Sequence, residues 1–259
     1  MKTNRILILI STLAVSIAMA SSLHAQVTPL SIDFESPTYL TTMVPGDFAA
    51  EWSSVAAGTT ITSTGALSGS QSLSIGAYSS ARLYINAPND ASSLSLSMQM
   101  APIDGGNFQT GGAIVLYRET DGDPESGNGE SSALSLQFEN GGSNPDTIRE
   151  SIGNASSSVI STTWVSGTAY TININLDYVS AALSYEILNP GGSTLQSAAG
   201  SYLYHADQDF VLELHSNYSN PVLVDSIQIT AVPEPSTYAV FAGLVVLGFV
   251  AWRRRRLQA

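Results

Sequence analysis

From Gln26 to Thr230, apolar side chains recur at every second position rather than at the three-to-four spacing of a helix. That period confines the segment to β structure. Leu94, Leu96, Met98 and Met100 alternate with Ser95, Ser97 and Gln99, and Leu134, Leu136 and Phe138 with Ser135 and Gln137. Ile172, Ile174 and Leu176 alternate with Thr171, Asn173, Asn175 and Asp177. The runs at Leu183–Ile187 and Phe210–Leu214 repeat the pattern. Further strands are expected at Gln71–Ile75, Ala81–Ile85, Ala113–Arg118, Ser158–Ile160 and Val222–Thr230. One apolar and one polar face per strand predicts antiparallel sheets, each wet on one side. About ten such strands predict an all-β fold, an antiparallel two-sheet sandwich of the jelly-roll kind. Asp104-Gly105-Gly106, Asn140-Gly141-Gly142 and Asn189-Pro190-Gly191-Gly192 supply hairpin-loop chemistry. With no repeat and no low-complexity linker before Ala231, residues 26–230 read as one domain.

Charge narrows the partners. Charged residues make up 12% of the chain, about half the usual share, and Ser, Thr, Gly and Asn fill the difference. Of nine Lys and Arg, only Arg82, Arg118 and Arg149 lie between Gln26 and Thr230, against twenty Asp and Glu, a net charge near −17. Phosphate backbones repel such a surface, so nucleic acid is excluded as a partner, whereas cations, calcium first, are attracted. The chain has no cysteine, which excludes disulfides, Cys-ligated zinc and thiol chemistry.

The two ends differ from the middle. Met1–Arg5 is short and basic, Ile6–Ala18 is mostly apolar, Ala18-Met19-Ala20 is a small-x-small cleavage signal, and Leu23-His24-Ala25 before Gln26 is a second candidate in which Leu23 is bulky. Residues 1–25 are therefore expected to be a signal peptide addressed to the export machinery. At the other end, residues 231–259 hold Val232-Pro233-Glu234-Pro235-Ser236, then an uncharged stretch from Tyr238 to Trp252, then Arg253, Arg254, Arg255 and Arg256. The prolines end the last strand. The stretch 238–252, as a helix of about 22 Å, falls short of a ~30 Å hydrocarbon core, but Tyr238, Trp252 and the snorkelling arginines close the gap. It is expected to be a transmembrane helix in the inner membrane before processing, with the arginines cytoplasmic and the domain outside.

This three-part tail resembles the PEP-CTERM sorting signal of Gram-negative bacteria over Val232 to Arg256, about a tenth of the chain. The resemblance implies recognition by an exosortase, a membrane-embedded cysteine transpeptidase, processing near Pro233-Glu234-Pro235, and a final place at the cell surface or in an extracellular polysaccharide matrix. In the middle region, Ser31-Ile32-Asp33-Phe34-Glu35, Gly69-Ser70-Gln71-Ser72-Leu73-Ser74-Ile75, Trp164-x-x-Gly167-x-x-Tyr170 and Val224-Asp225-Ser226-Ile227-Gln228-Ile229 resemble stretches of concanavalin A-like (laminin G-like) jelly rolls and carbohydrate-binding modules.

Two acidic groups are candidate calcium ligands. Asp121, Asp123 and Glu125 place three carboxylates in five residues, on a loop without EF-hand spacing. Asp33 and Asp225, with Glu35 beside the first, sit where a cation would tie the first strand to the last. A solvated acidic loop is the alternative for the first group, and ordinary strand-end carboxylates for the second. Sugar recognition needs aromatic faces for stacking and polar groups for the hydroxyls. The aromatics available are Trp52, Trp164, Tyr78, Tyr84, Tyr117, Tyr202 and Tyr204; Trp52, Trp164, Tyr202 and Tyr204 are the expected binding residues, with core packing as the alternative for each. Catalysis is not expected. Asp209 and Glu213 share a face but stand roughly 13 Å apart by strand rise, too far for a hydrolytic pair. Gly-x-Ser-x-Gly and His-Glu-x-x-His are absent, and His205 and His215 make no site alone. Thr60, Thr62 and Thr64 form a single threonine ladder, too short for an ice-binding array. The expected function is that of an exported, non-enzymatic surface or matrix protein whose sandwich binds polysaccharide. The alternatives are a self-associating structural matrix component and an unusual glycoside hydrolase.

Overall fold

The protein is described from a computed structural model, over residues 30–43, 45–48, 52–85, 91–103, 110–118, 132–139, 147–153, 158–160, 162–202, 210–216 and 221–233. Among these residues the chain forms two antiparallel sheets and one short 3-10 turn, Pro45–Asp47. The expected two-sheet β architecture is what the chain adopts.

The larger sheet contains β1 (Leu30–Ile32), β3 (Thr59–Thr62), β4 (Ser72–Ile75), β6 (Ala91–Ala101), β11 (Tyr170–Asp177), β12 (Ala182–Leu188), β13 (Thr194–Ser201) and β15 (Val222–Pro233). Its order is β13-β12-β11-β6-β15-β4-β3, with β1 also on β15. The smaller sheet is β10-β9-β8-β7-β14-β5-β2, built from β2 (Trp52–Val55), β5 (Ser79–Ile85), β7 (Thr110–Arg118), β8 (Ser132–Glu139), β9 (Thr147–Ile152), β10 (Ser158–Ile160) and β14 (Phe210–Ser216).

Period-two alternation decides which face is inside. In β6, Leu94, Leu96, Met98 and Met100 are buried. They stand opposite Leu176, Ile174, Ile172 and Tyr170 of β11, so one register buries both sets together. In the smaller sheet, Leu116 of β7 pairs with Leu134 of β8 and Leu212 of β14, all buried. Ring contacts bind the layers: Phe138 of β8 stacks on Tyr170 of β11 with centroids 6.2 Å apart. Tyr185 of β12 donates from its hydroxyl to Glu150 of β9. Burial, and then that bond to Glu150, push the tyrosine hydroxyl well above its ordinary pKa and keep it a donor.

The long strand β15 changes partner along its length. Val222–Val224 pair with β4, whereas Ile227–Ile229 pair with β1. The change falls at Asp225-Ser226, where Ser226 has a left-handed φ of 52°. Pro29–Ala231 form one compact unit.

Candidate functional site

The acidic trio proposed for a cation meets at that break in β15, but its chemistry is different. Asp225 is fully buried. Its Oδ2 accepts from Ser68 N at 2.9 Å and Ser72 Oγ at 2.8 Å, and its Oδ1 from Ser226 N at 2.7 Å. Glu35 Oε1 accepts from Ser70 N at 2.7 Å and Gln71 N at 3.0 Å, and its Oε2 from Ser70 Oγ at 2.5 Å. Asp33 Oδ1 accepts from Glu35 N at 3.1 Å. Two carboxylates thus grip one loop, residues 68–72, from both sides. Gly69 makes the grip possible: its φ is +59°, and a side chain there would run into the Glu35 carboxylate. The N–H and O–H groups aimed at these oxygens satisfy both carboxylates without an ion. In this structure Glu35 and Asp225 form a hydrogen-bonded brace around the loop. Among the described residues, no cluster of three or more His, Cys, Asp or Glu is arranged to hold a metal ion.

Electrostatics within the brace follow from exposure. Burial pushes the Asp225 carboxyl upward, with smaller opposing pulls from the Ser72, Ser68 and Ser226 donors and a push from nearby Glu35. Glu35, at the surface, is held below its ordinary range by the Ser70 hydroxyl first, then by the Ser70 and Gln71 amides.

Three of the four aromatic candidates are buried. Trp52 is 7% exposed, Trp164 2% and Tyr202 4%, so none offers a ring face to a sugar. Trp52 lies between Phe34 and Phe48, its Nε1 donating to the Tyr39 hydroxyl at 3.2 Å. Trp164 packs edge-on to Phe138 and donates from Nε1 to the carbonyls of Glu139 and Thr147, both at 3.1 Å, so it ties the two strands together at the loop end of the β8–β9 hairpin. Tyr170, the last member of the same motif, accepts from Val165 N at 2.8 Å through its hydroxyl. Tyr202 meets Phe210 edge-on. These large rings are buried because a sandwich needs volume where loops close its ends. Tyr204, the Asp121–Glu125 loop, His205, Asp209, the residues from Glu234 onward and the leader lie outside the described residues. Among the described residues no helix is long and apolar enough to cross a membrane.

What the fold does present is the outward face of the larger sheet. Register across β6, β11, β12 and β13 aligns the polar halves of the alternating runs into rows. One row is Ser97, Asn173, Glu186 and Ser197; the next is Ser95, Asn175, Ser184 and Ala199; the next is Ser93, Asp177, Ala182 and Ser201. Ser97 Oγ donates to Asn173 Oδ1 at 2.8 Å and Ser95 Oγ to Asn175 Oδ1 at 2.7 Å, which fixes both amides. Asp177 Oδ1 accepts from Val179 N and Ser180 N, each at 2.9 Å; the Ser180 amide first, then the other donors, hold its carboxyl below the ordinary range. The small Ala182 and Ala199 leave a shallow furrow of about 210 Å³ between Asn175, Asp177 and Ser184. Strand spacing sets these groups about 4.8 Å apart across the sheet. Such a surface suits a polyhydroxylated chain lying flat, since hydroxyls and amides both donate and accept. The sequence already held this signal in the hydroxyl and amide residues at the polar positions of three neighbouring strands, but only the register shows that they are neighbours.

Residues 231–256 match the PEP-CTERM protein-sorting motif. Among curated proteins, none matches the chain by sequence. Solved structures share the fold. Lectin II from Ulex europaeus superposes at a TM-score of 0.52 with 12% identity, covering 80% of this chain and 100% of that one. The basic winged bean lectin, solved with Tn-antigen, gives 0.53 and 10%, covering 80% and 99%. Arcelin-5, a lectin-like defense protein from Phaseolus vulgaris, gives 0.51 and 10%, covering 80% and 99%. This chain carries a PEP-CTERM sorting motif at residues 231–256 behind a jelly roll of the legume-lectin, concanavalin A-like fold.

Proposed function

We propose that this is an exported, non-enzymatic surface or matrix protein whose domain, residues 26–230, binds polysaccharide. One observation carries the reading: a sorting motif that marks a protein for export and exosortase processing directly follows a domain of lectin fold. The leader at residues 1–25 takes the chain to the export machinery. The stretch 238–252 holds it in the inner membrane, with Arg253–Arg256 inside. An exosortase acts near Pro233-Glu234-Pro235 and leaves the domain outside, at the cell surface or in the matrix. The hydroxyl and amide rows on β6, β11, β12 and β13 support contact with a sugar chain, and the net charge near −17 over residues 26–230 argues against nucleic acid. Calcium is proposed at Asp121, Asp123 and Glu125, where the carboxylate-rich loop fits its oxygen preference.

A glycan panel bound by the purified full-length protein, with calcium and with chelator, tests both parts. Saturable binding supports the reading, and its loss in chelator supports the Asp121–Glu125 loop. Absence of binding in both conditions overturns it. A second reading, self-association, is favoured by β13, an eight-residue edge strand without charge or proline, the kind of edge that pairs with another chain.

A further inference from the structure

We infer that a cleft on the smaller sheet, beneath Tyr78, seats a single pyranose ring, giving the domain a glycan contact separate from the rows on the larger sheet. The inference rests on the polysaccharide-binding reading and names one site for it.

The cleft, about 260 Å³, is lined by Tyr78, Ser79, Ser80, Glu213, His215 and Ser216. It is smaller than the pockets that enclose drug-sized ligands, so it suits one ring and not a folded oligosaccharide. Register assembles its floor: Ser80 stands opposite His215, Ser79 opposite Ser216, and Arg82 opposite Glu213. Arg82 Nε holds Glu213 Oε2 at 3.0 Å, which fixes the carboxylate in one orientation. A carboxylate, an imidazole and a serine hydroxyl therefore line a small concavity, and between them they match the donor and acceptor pattern of sugar hydroxyls.

Tyr78 is the unusual member. It is 73% exposed, and its backbone holds a left-handed φ of 57°. A bulky residue in that region is strained, and strain of this kind persists only where the surroundings impose it. The surroundings are two turns locked together. Gly76 N donates to the Gly58 carbonyl at 2.9 Å, Ala56 N to the Ser80 carbonyl at 2.9 Å, and Ser79 N to the Gly76 carbonyl at 3.1 Å. The backbones approach so closely that a side chain on Gly76 would collide with the Gly58 carbonyl, and one on Gly58 with Ser79. Folding alone favours glycine or asparagine at position 78. A tyrosine there presents instead a flat apolar face and a hydroxyl, on a rigid mount, at the mouth of a polar cleft. That is the combination that stacks on the apolar face of a sugar ring while side groups take its hydroxyls.

The test is saturation-transfer NMR on the full-length protein, using methyl glycosides of glucose, galactose, mannose and N-acetylglucosamine, on the wild type, Tyr78→Gly and Tyr78→Phe. Transfer to the ring C–H protons of at least one glycoside is expected in the wild type and in Tyr78→Phe. Tyr78→Gly should weaken it about tenfold, the equivalent of one lost aromatic contact. Relief of the strained φ should leave the Tm of Tyr78→Gly at or above that of the wild type, so the loss is not one of folding. If the wild type binds polysaccharide but no methyl glycoside, or Tyr78→Gly binds a glycoside as tightly as the wild type, the cleft assignment is overturned and the polysaccharide reading stands. If the wild type binds neither, both fall.

Discussion

Asp225 and Glu35 show how a single carboxylate's surroundings decide its role. Sequence alone places acidic residues on the first and last strands, and a cation is a reasonable way to reconcile them. What the sequence does not display is the third party, the serine-rich loop 68–72, whose amides and hydroxyls satisfy both acids. All three stretches resemble jelly-roll sequences, and they meet at one junction. Asp225→Asn puts an NH2 group against donors on whichever oxygen it replaces. We expect a loss of about 1–3 kcal/mol in urea denaturation, the cost of leaving a buried donor unsatisfied. The two acids respond oppositely to pH. Glu35 has a lowered pKa in the fold, so its contribution is present above its unfolded value of 4.5 and is lost as pH falls through the folded value. Asp225 has a raised pKa, so its contribution is present below its unfolded value of 3.8 and is lost as pH rises through the folded one. Thermal melts should therefore find Glu35→Gln less stable than the wild type at neutral pH, with the gap closing as the pH drops below the folded Glu35 value. A gap that is unchanged in acid would contradict the ionised brace.

Strands were legible wherever burial is one-sided and long. The runs now seen as β6, β8, β11, β12 and β14 declare themselves by alternation, and the Asn189–Gly192 signal does close the β12–β13 hairpin, with Gly192 N on the Asn189 carbonyl at 2.8 Å. The elements that sequence reasoning passed over have physical reasons for silence. β13 is Thr-Leu-Gln-Ser-Ala-Ala-Gly-Ser, an edge strand with too little burial to select large apolar residues. β9 shows no apolar alternation, because Arg149 pairs with Glu139 and the next residue, Glu150, accepts from Tyr185 of the other sheet. β2 places its two apolar residues, Trp52 and Val55, three apart around a register shift, so no period of two appears there. The Trp164–Tyr170 motif was legible as a motif but not as a role: ring size suggested stacking, whereas the indole closes a hairpin from inside. Trp164→Ala should cost about 3–5 kcal/mol, as expected for emptying a buried aromatic site. Among variants that remain folded at assay temperature, glycan affinity should match the wild type. A selective loss of affinity with unchanged Tm would return Trp164 to the binding surface.

The whole chain combines an address, read directly from sequence, with a domain of lectin fold whose ligand is proposed from its surfaces. The address was the clearer part because sorting signals are recognised as linear chemistry: order, spacing and charge suffice. The proposed binding surfaces are assembled from strands distant in sequence, Ser95 beside Asn175 and Ser80 beside His215, so they emerge only with the register. On this account, peptide mass spectrometry of the native protein should find a C-terminus close to Pro233-Glu234-Pro235, and intact Arg253–Arg256 on most mature molecules would contradict processing. The central claim is that the delivered domain holds polysaccharide. Its most direct test is co-sedimentation of the mature protein with purified exopolysaccharide from the cells that make it. The account predicts saturable binding that is competed by the free polymer. Mature protein that stays in the supernatant at every polymer concentration would contradict it.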